Sequence, residues 1–101
     1  MITFTLNSEY IKDTQVSMLV GQYGNGRTAL ELIDSTDGEP VMVATVNVPA
    51  IPLEENEVII KDYSENEGVL DCLIKEGIVS KPKRHISTGF VLCPVVDLLK
   101  Y

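Results

Sequence analysis

Histidine occurs once in this chain, cysteine twice and tryptophan never. Three Cys and His residues fall short of the four ligands of a tetrahedral structural zinc site, so neither a metal nor another cofactor is expected. Cys72 and Cys93 form no Cys-x-x-Cys pair, and two cysteines allow one disulfide rather than a disulfide framework. Both are expected as reduced, small core residues. Long hydrophobic runs are missing too. No apolar stretch approaches the roughly 20 residues of a membrane-spanning helix, which argues against a membrane partner. Met1–Glu9 has neither a basic segment nor an apolar one, so no secretory signal is expected and the cytoplasm is the expected location.

Positive charge is scarce: 8 Lys and Arg stand against 15 Asp and Glu, for a net charge of −7. The imbalance is uneven. Residues 1–80 hold 4 basic and 14 acidic side chains, whereas residues 81–101 hold 4 and 1. An acidic body argues against a protein that grips a phosphate backbone, which normally shows a basic face. The run Lys81-Pro82-Lys83-Arg84-His85 is the one positive patch along the sequence.

What is present reads as a folded domain. At 101 residues, with 45% hydrophobic and 23% charged residues, the chain fits one α+β domain over 1–101. Such a domain buries roughly two-thirds of its unfolded surface without metals or disulfides. Ile2, Phe4 and Leu6 alternate with Thr3 and Thr5, the pattern of a half-buried strand. Gly24-Asn25-Gly26 is the strongest hairpin signal. A two-residue type I′ turn at Asn25-Gly26 would pair Tyr23 with Thr28, Gly21 with Leu30 and Leu19 with Leu32. A second two-residue turn at Asp37-Gly38 would pair Leu32 with Val43, Leu30 with Thr45 and Ile33 with Met42. The expectation is an antiparallel meander of about 15–23, 27–34 and 41–48. Apolar residues on both faces predict a sheet that curls or is covered on both sides.

Val58-Ile59-Ile60 reads as a short buried strand. Ser64-Glu65-Asn66-Glu67 fits a capping box, predicting one short helix at about 64–76. Its apolar stripe is Val69, Leu70, Leu73 and Ile74. Gly77 should end it as a left-handed cap, with Ile78 touching Leu73 in a Schellman arrangement. Arg84–Ser87 can pair briefly and Phe90–Cys93 is strongly β, while Pro94 points to an edge or a break. Residues 95–99 fit a last strand or a terminal turn equally well. The fold class is therefore α+β: a mainly antiparallel curled sheet with one short helix.

No catalytic set emerges. Gly21–Gly26 lacks the Lys-Ser/Thr of a P-loop and is followed by a strand pattern rather than a helix. The carboxylates Glu54, Glu55, Glu57, Asp62, Glu65 and Glu67 do not fit a calcium loop, and they fall at turns and a helix start. Cys93 with His85 is the one nucleophile–base combination to consider, and Cys93 sits in an apolar run where a thiol is inert. Tyr63, just before the helix, can pack or anchor a partner.

The segments Tyr23-Gly24-Asn25-Gly26-Arg27-Thr28-Ala29-Leu30-Glu31-Leu32-Ile33-Asp34, Asp37-Gly38-Glu39-Pro40, Ala44–Pro49, Ile60–Gly68 and Thr88–Val91 occur in that order. As a set they resemble a family of small bacterial proteins of unknown function carried on plasmids, phages and conjugative elements. The likeness covers roughly positions 22–99. It implies a mobile-element setting and a cytoplasmic location, and it carries over no catalytic residue, cofactor or substrate. The expected function is that of a non-enzymatic accessory protein binding another macromolecule, a protein before a nucleic acid. An acidic inhibitor of a host defence nuclease is one form of it, since clustered carboxylates can occupy a basic groove. The expected contact residues are Tyr63, Glu65 and Glu67 at the helix start and Lys81, Lys83, Arg84 and His85 in the basic loop. The alternatives are a nucleic-acid-binding module using the 81–85 loop and a small Cys/His enzyme.

Overall fold

A computed structural model describes residues 2–101. Four strands, β1 (Ile2–Leu6), β2 (Thr14–Gln22), β3 (Thr28–Asp34) and β4 (Pro40–Val43), form an open, curled antiparallel sheet in the order β1-β2-β3-β4. The expected meander is present. The N-terminal strand joins it by pairing Phe4 with Val16.

The registers differ from the expected ones by one residue. Asn25 does not take a positive φ; Gly26 alone does, at 86°. The loop is therefore three residues long, Gly24-Asn25-Gly26. It is closed by the Tyr23 N–H donating to Arg27 O (2.7 Å) and the Gly26 N–H donating to Tyr23 O (2.9 Å). This is a turn followed by a left-handed glycine. Gln22 thus faces Thr28, Val20 faces Leu30 and Met18 faces Leu32. The second loop is likewise longer, with Asp34 N–H donating to Glu39 O across Ser35–Gly38. Leu32 pairs with Met42, Glu31 with Val43 and, after a bulge, Ile33 with Pro40.

A one-residue slip exchanges the two faces of a strand. Val16, Met18, Leu30 and Leu32 point into the core, while Leu19, Gly21, Ala29, Glu31 and Val43 share the outer face. β4 also ends at Val43 rather than 48.

Beyond it, Val46–Asn56 runs as a strap without strands to β5 (Glu57–Ile59). With β6 (Arg84–Ser87) and β7 (Leu92–Asp97) this makes a second antiparallel sheet in the order β5-β7-β6. Pro94 lies inside the central strand, not at an edge. Its carbonyl accepts from Ile60 N–H (3.0 Å), and having no N–H it returns no bond, so the β5–β7 ladder stops there. Residues 95–97 continue β7, and Leu98 bridges Val79.

The helix begins later than the capping box predicts. Ser64–Asn66 is a single 3₁₀ turn, and α1 spans Val69–Lys75. Ser64 makes no side-chain cap. Instead Asp62 Oδ1 accepts from the backbone N–H of Gly68 (3.0 Å) and Leu70 (3.1 Å). Gly68 takes φ +94°, and a Cβ there would lie 2.8 Å from Glu9 N. The C-terminal end is as expected: Ile78 N–H donates to Leu73 O and Gly77 N–H to Ile74 O, the two bonds of a Schellman motif.

The larger core lies between the inner face of the first sheet, the α1 stripe and one face of the second sheet (Val58, Val96). A smaller core, Ile59, Cys93 and Val95, fills the opposite face of the second sheet. Val46, Val48 and Leu53 of the strap cover it, together with Tyr63.

Candidate interaction surfaces

The basic loop is not a free positive patch. Lys83 and Arg84 converge on Glu57, whose side chain is only 1% exposed. Arg84 donates from Nη1 to Oε2 (2.8 Å) and from Nη2 to Oε1 (3.0 Å). This is the bidentate fork that guanidinium and carboxylate geometry favours. Lys83 Nζ lies 2.8 Å from Oε2 and 3.2 Å from Asp97 Oδ1, while the Glu54 N–H donates to Glu57 Oε1 (2.9 Å). Arg84, then Lys83, then the Glu54 amide hold the Glu57 carboxyl far below the usual carboxylate range against the opposing cost of burial. The same contacts raise Lys83 and Arg84 above their ordinary values. Two of the four expected loop contacts are thus spent on an internal cluster. Lys81 and His85 are exposed and make no ion pair among the described residues.

That cluster also fastens the strap. Arg84 Nη2 donates to Pro52 O (3.1 Å), and from the other side Arg27 donates to Val48 O (2.7 Å) and to Ile51 O. In sequence Arg27 stands simply at the end of the hairpin loop. Its role depends on a partner more than twenty residues away, which no local pattern signals.

At the helix start Tyr63 is half-buried against the small core, with Lys61 Nζ 5.6 Å from its ring centroid. Glu65 is exposed and paired with Lys61, which lowers its carboxyl below the ordinary value. Glu67 is exposed, and its backbone carbonyl accepts from Glu9 N–H (2.8 Å). Cys93 and His85 cannot meet across the β6–β7 ladder. Cys93 is fully buried opposite Ile86, and His85, one residue along, faces the other way. Both cysteines are free and buried.

A different surface comes from the register of β2, β3 and β4. Leu19, Gly21, Ala29, Glu31 and Val43 line a shallow groove of about 450 Å³ on the outer face of the first sheet. Val43 is 43% exposed. Tyr23 and Val43 continue into a second groove of about 500 Å³, walled by Lys61, Glu65 and Asn66. Hydrogen bonds tie the groove floor together: Tyr23 Oη lies 2.8 Å from Thr45 Oγ1, and buried Asn66 donates to Val43 O (2.8 Å). Glu65 is the one expected contact residue on this surface. The strands β1–β4 contain no Lys or Arg; their charged residues are Glu31 and Asp34. Among the described residues no group of three or more His, Cys, Asp or Glu could hold a metal, and no helix is long and apolar enough to cross a membrane. No protein-family model matches the chain, and neither a curated protein nor a solved structure is significantly similar to it.

Proposed function

We propose that the protein is a non-enzymatic accessory protein of a mobile genetic element that acts by binding another protein, with the outer face of the first sheet as its contact surface. The observation that carries this reading is the partly apolar groove formed by exposed Val43 with half-buried Leu19 and Ala29, joined to the second groove at Tyr23. Contiguous exposed apolar surface rimmed by polar residues marks interaction sites on soluble proteins. The mobile-element setting rests on the sequence resemblance. The internal use of Lys83 and Arg84 leaves the nucleic-acid alternative with only Lys81 and His85 in that loop, and so favours a protein partner.

Affinity capture from bacterial lysate with the immobilised wild-type chain and a Leu19→Ser/Val43→Ser variant tests the reading. A protein held at moderate salt by the wild type and lost by the variant is expected. Capture of nothing at low and moderate salt, or equal capture by both, would overturn it.

A further inference from the structure

Glu31 stands alone at the middle of the outer face. Its cross-strand neighbours are Leu19 on one side and Val43 on the other. It is half-buried, and the ion pairs among the described residues involve Lys61, Lys83 and Arg84, none of them with Glu31. The cation walling the adjoining groove, Lys61, is engaged by Glu65, and Arg27 is engaged by the strap carbonyls. An unpaired carboxylate between two apolar side chains gains most from a cation that arrives with its own apolar neighbours. Arginine meets that demand best, because its fork matches a carboxylate and its stem can lie along Leu19 and Val43.

We infer that Glu31 anchors an arginine or lysine of a basic, partly apolar polypeptide segment that docks across Leu19 and Val43. The inference rests on the docking reading above and adds the chemistry of the partner. Two features of charge support it. The four strands carry no cation to repel such a segment. The chain's net charge of −7 steers a basic partner toward it and disfavours acidic ones.

The test titrates the isotopically labelled full chain with short synthetic peptides and follows its amide NMR signals. One peptide alternates Arg with Leu and Val; matched peptides carry Ser or Glu in place of Arg. The Arg peptide is expected to shift the signals of Leu19, Glu31 and Val43, with binding that weakens as salt rises. Glu31→Gln should weaken it by about tenfold or more, whereas Glu55→Gln, an exposed acid away from the face, should leave it unchanged. Equal losses in the two variants would reduce the effect to net charge and overturn the inference. Equal binding of the Ser and Arg peptides at this face would also overturn it, while leaving the docking reading intact. If no peptide shifts these signals the inference falls, and the docking reading is then decided by the lysate capture alone.

Discussion

Replacing Glu57 by Gln keeps the shape of the side chain and removes the charge on which Arg84, Lys83 and the Glu54 amide converge. The amide retains one acceptor oxygen, so not every hydrogen bond is lost, but both cations lose their counter-charge. A hydrogen bond to a charged group is worth about 1.5–3 kcal/mol when fully protected. Here the side chains of Lys83 and Arg84 are 35% and 41% exposed, so water takes over much of their solvation and the worth of the pairs is discounted. A net loss of about 2 kcal/mol follows, which lowers the melting temperature of a domain of this size by roughly 8–16 °C. The pH dependence is more diagnostic than the size. The Glu57 carboxyl is lowered in the folded state, so its contribution is complete above the unfolded carboxylate value of about 4.3 and fades progressively as pH falls below that value toward the folded one. Thermal unfolding of both proteins from pH 7 to pH 2 checks this. The wild type should progressively lose its advantage over Glu57→Gln as pH falls below about 4.3, the gap narrowing without closing by pH 2. A gap independent of pH, or a variant as stable as the wild type at pH 7, would refute the assignment of a buried charged joint.

Three further outcomes follow from the local geometry. Asp62→Ala should cost about 1 kcal/mol in denaturant unfolding because it removes the helix cap, while Ser64→Ala should be nearly neutral. Gly68→Ala should destabilise by about 1–3 kcal/mol, since a Cβ there combines a left-handed backbone with a contact on Glu9 N. Arg27→Ala should speed amide exchange in the Val46–Asn56 strap while leaving the β2–β3 ladder protected, because its side-chain bonds go to strap carbonyls.

The elements were readable wherever a local pattern specifies them. Alternation marks Ile2–Leu6, and the apolar stripe with Gly77 and Ile78 marks the helix body and its end. Registers were not readable to one residue, because Gly24-Asn25-Gly26 accommodates both a two- and a three-residue loop, and only the demand of the core chooses between them. Burying Val16, Met18, Leu30 and Leu32 together selects the longer loop. That choice also placed Glu31 outward between Leu19 and Val43, a site no linear motif marks. The capping box fails for a related reason: Asp62, three residues beyond β5, accepts from the Gly68 and Leu70 N–H groups instead, and the helix starts one turn later than Ser64 would start it. The basic loop looks free in sequence because its counter-charge, Glu57, lies twenty-seven residues from Arg84 on β5, across the central strand β7.

In the proposed function the outer face of the first sheet, not the Lys81–His85 loop, contacts a partner. A photo-crosslinking residue placed at Val43 in one chain and at His85 in another tests it in bacterial cells. A discrete crosslinked protein, rich in basic residues, is expected from position 43; it should disappear when Glu31→Gln is added and should not be obtained from position 85. Crosslinks from position 85 alone, or a position-43 product indifferent to Glu31, would contradict it.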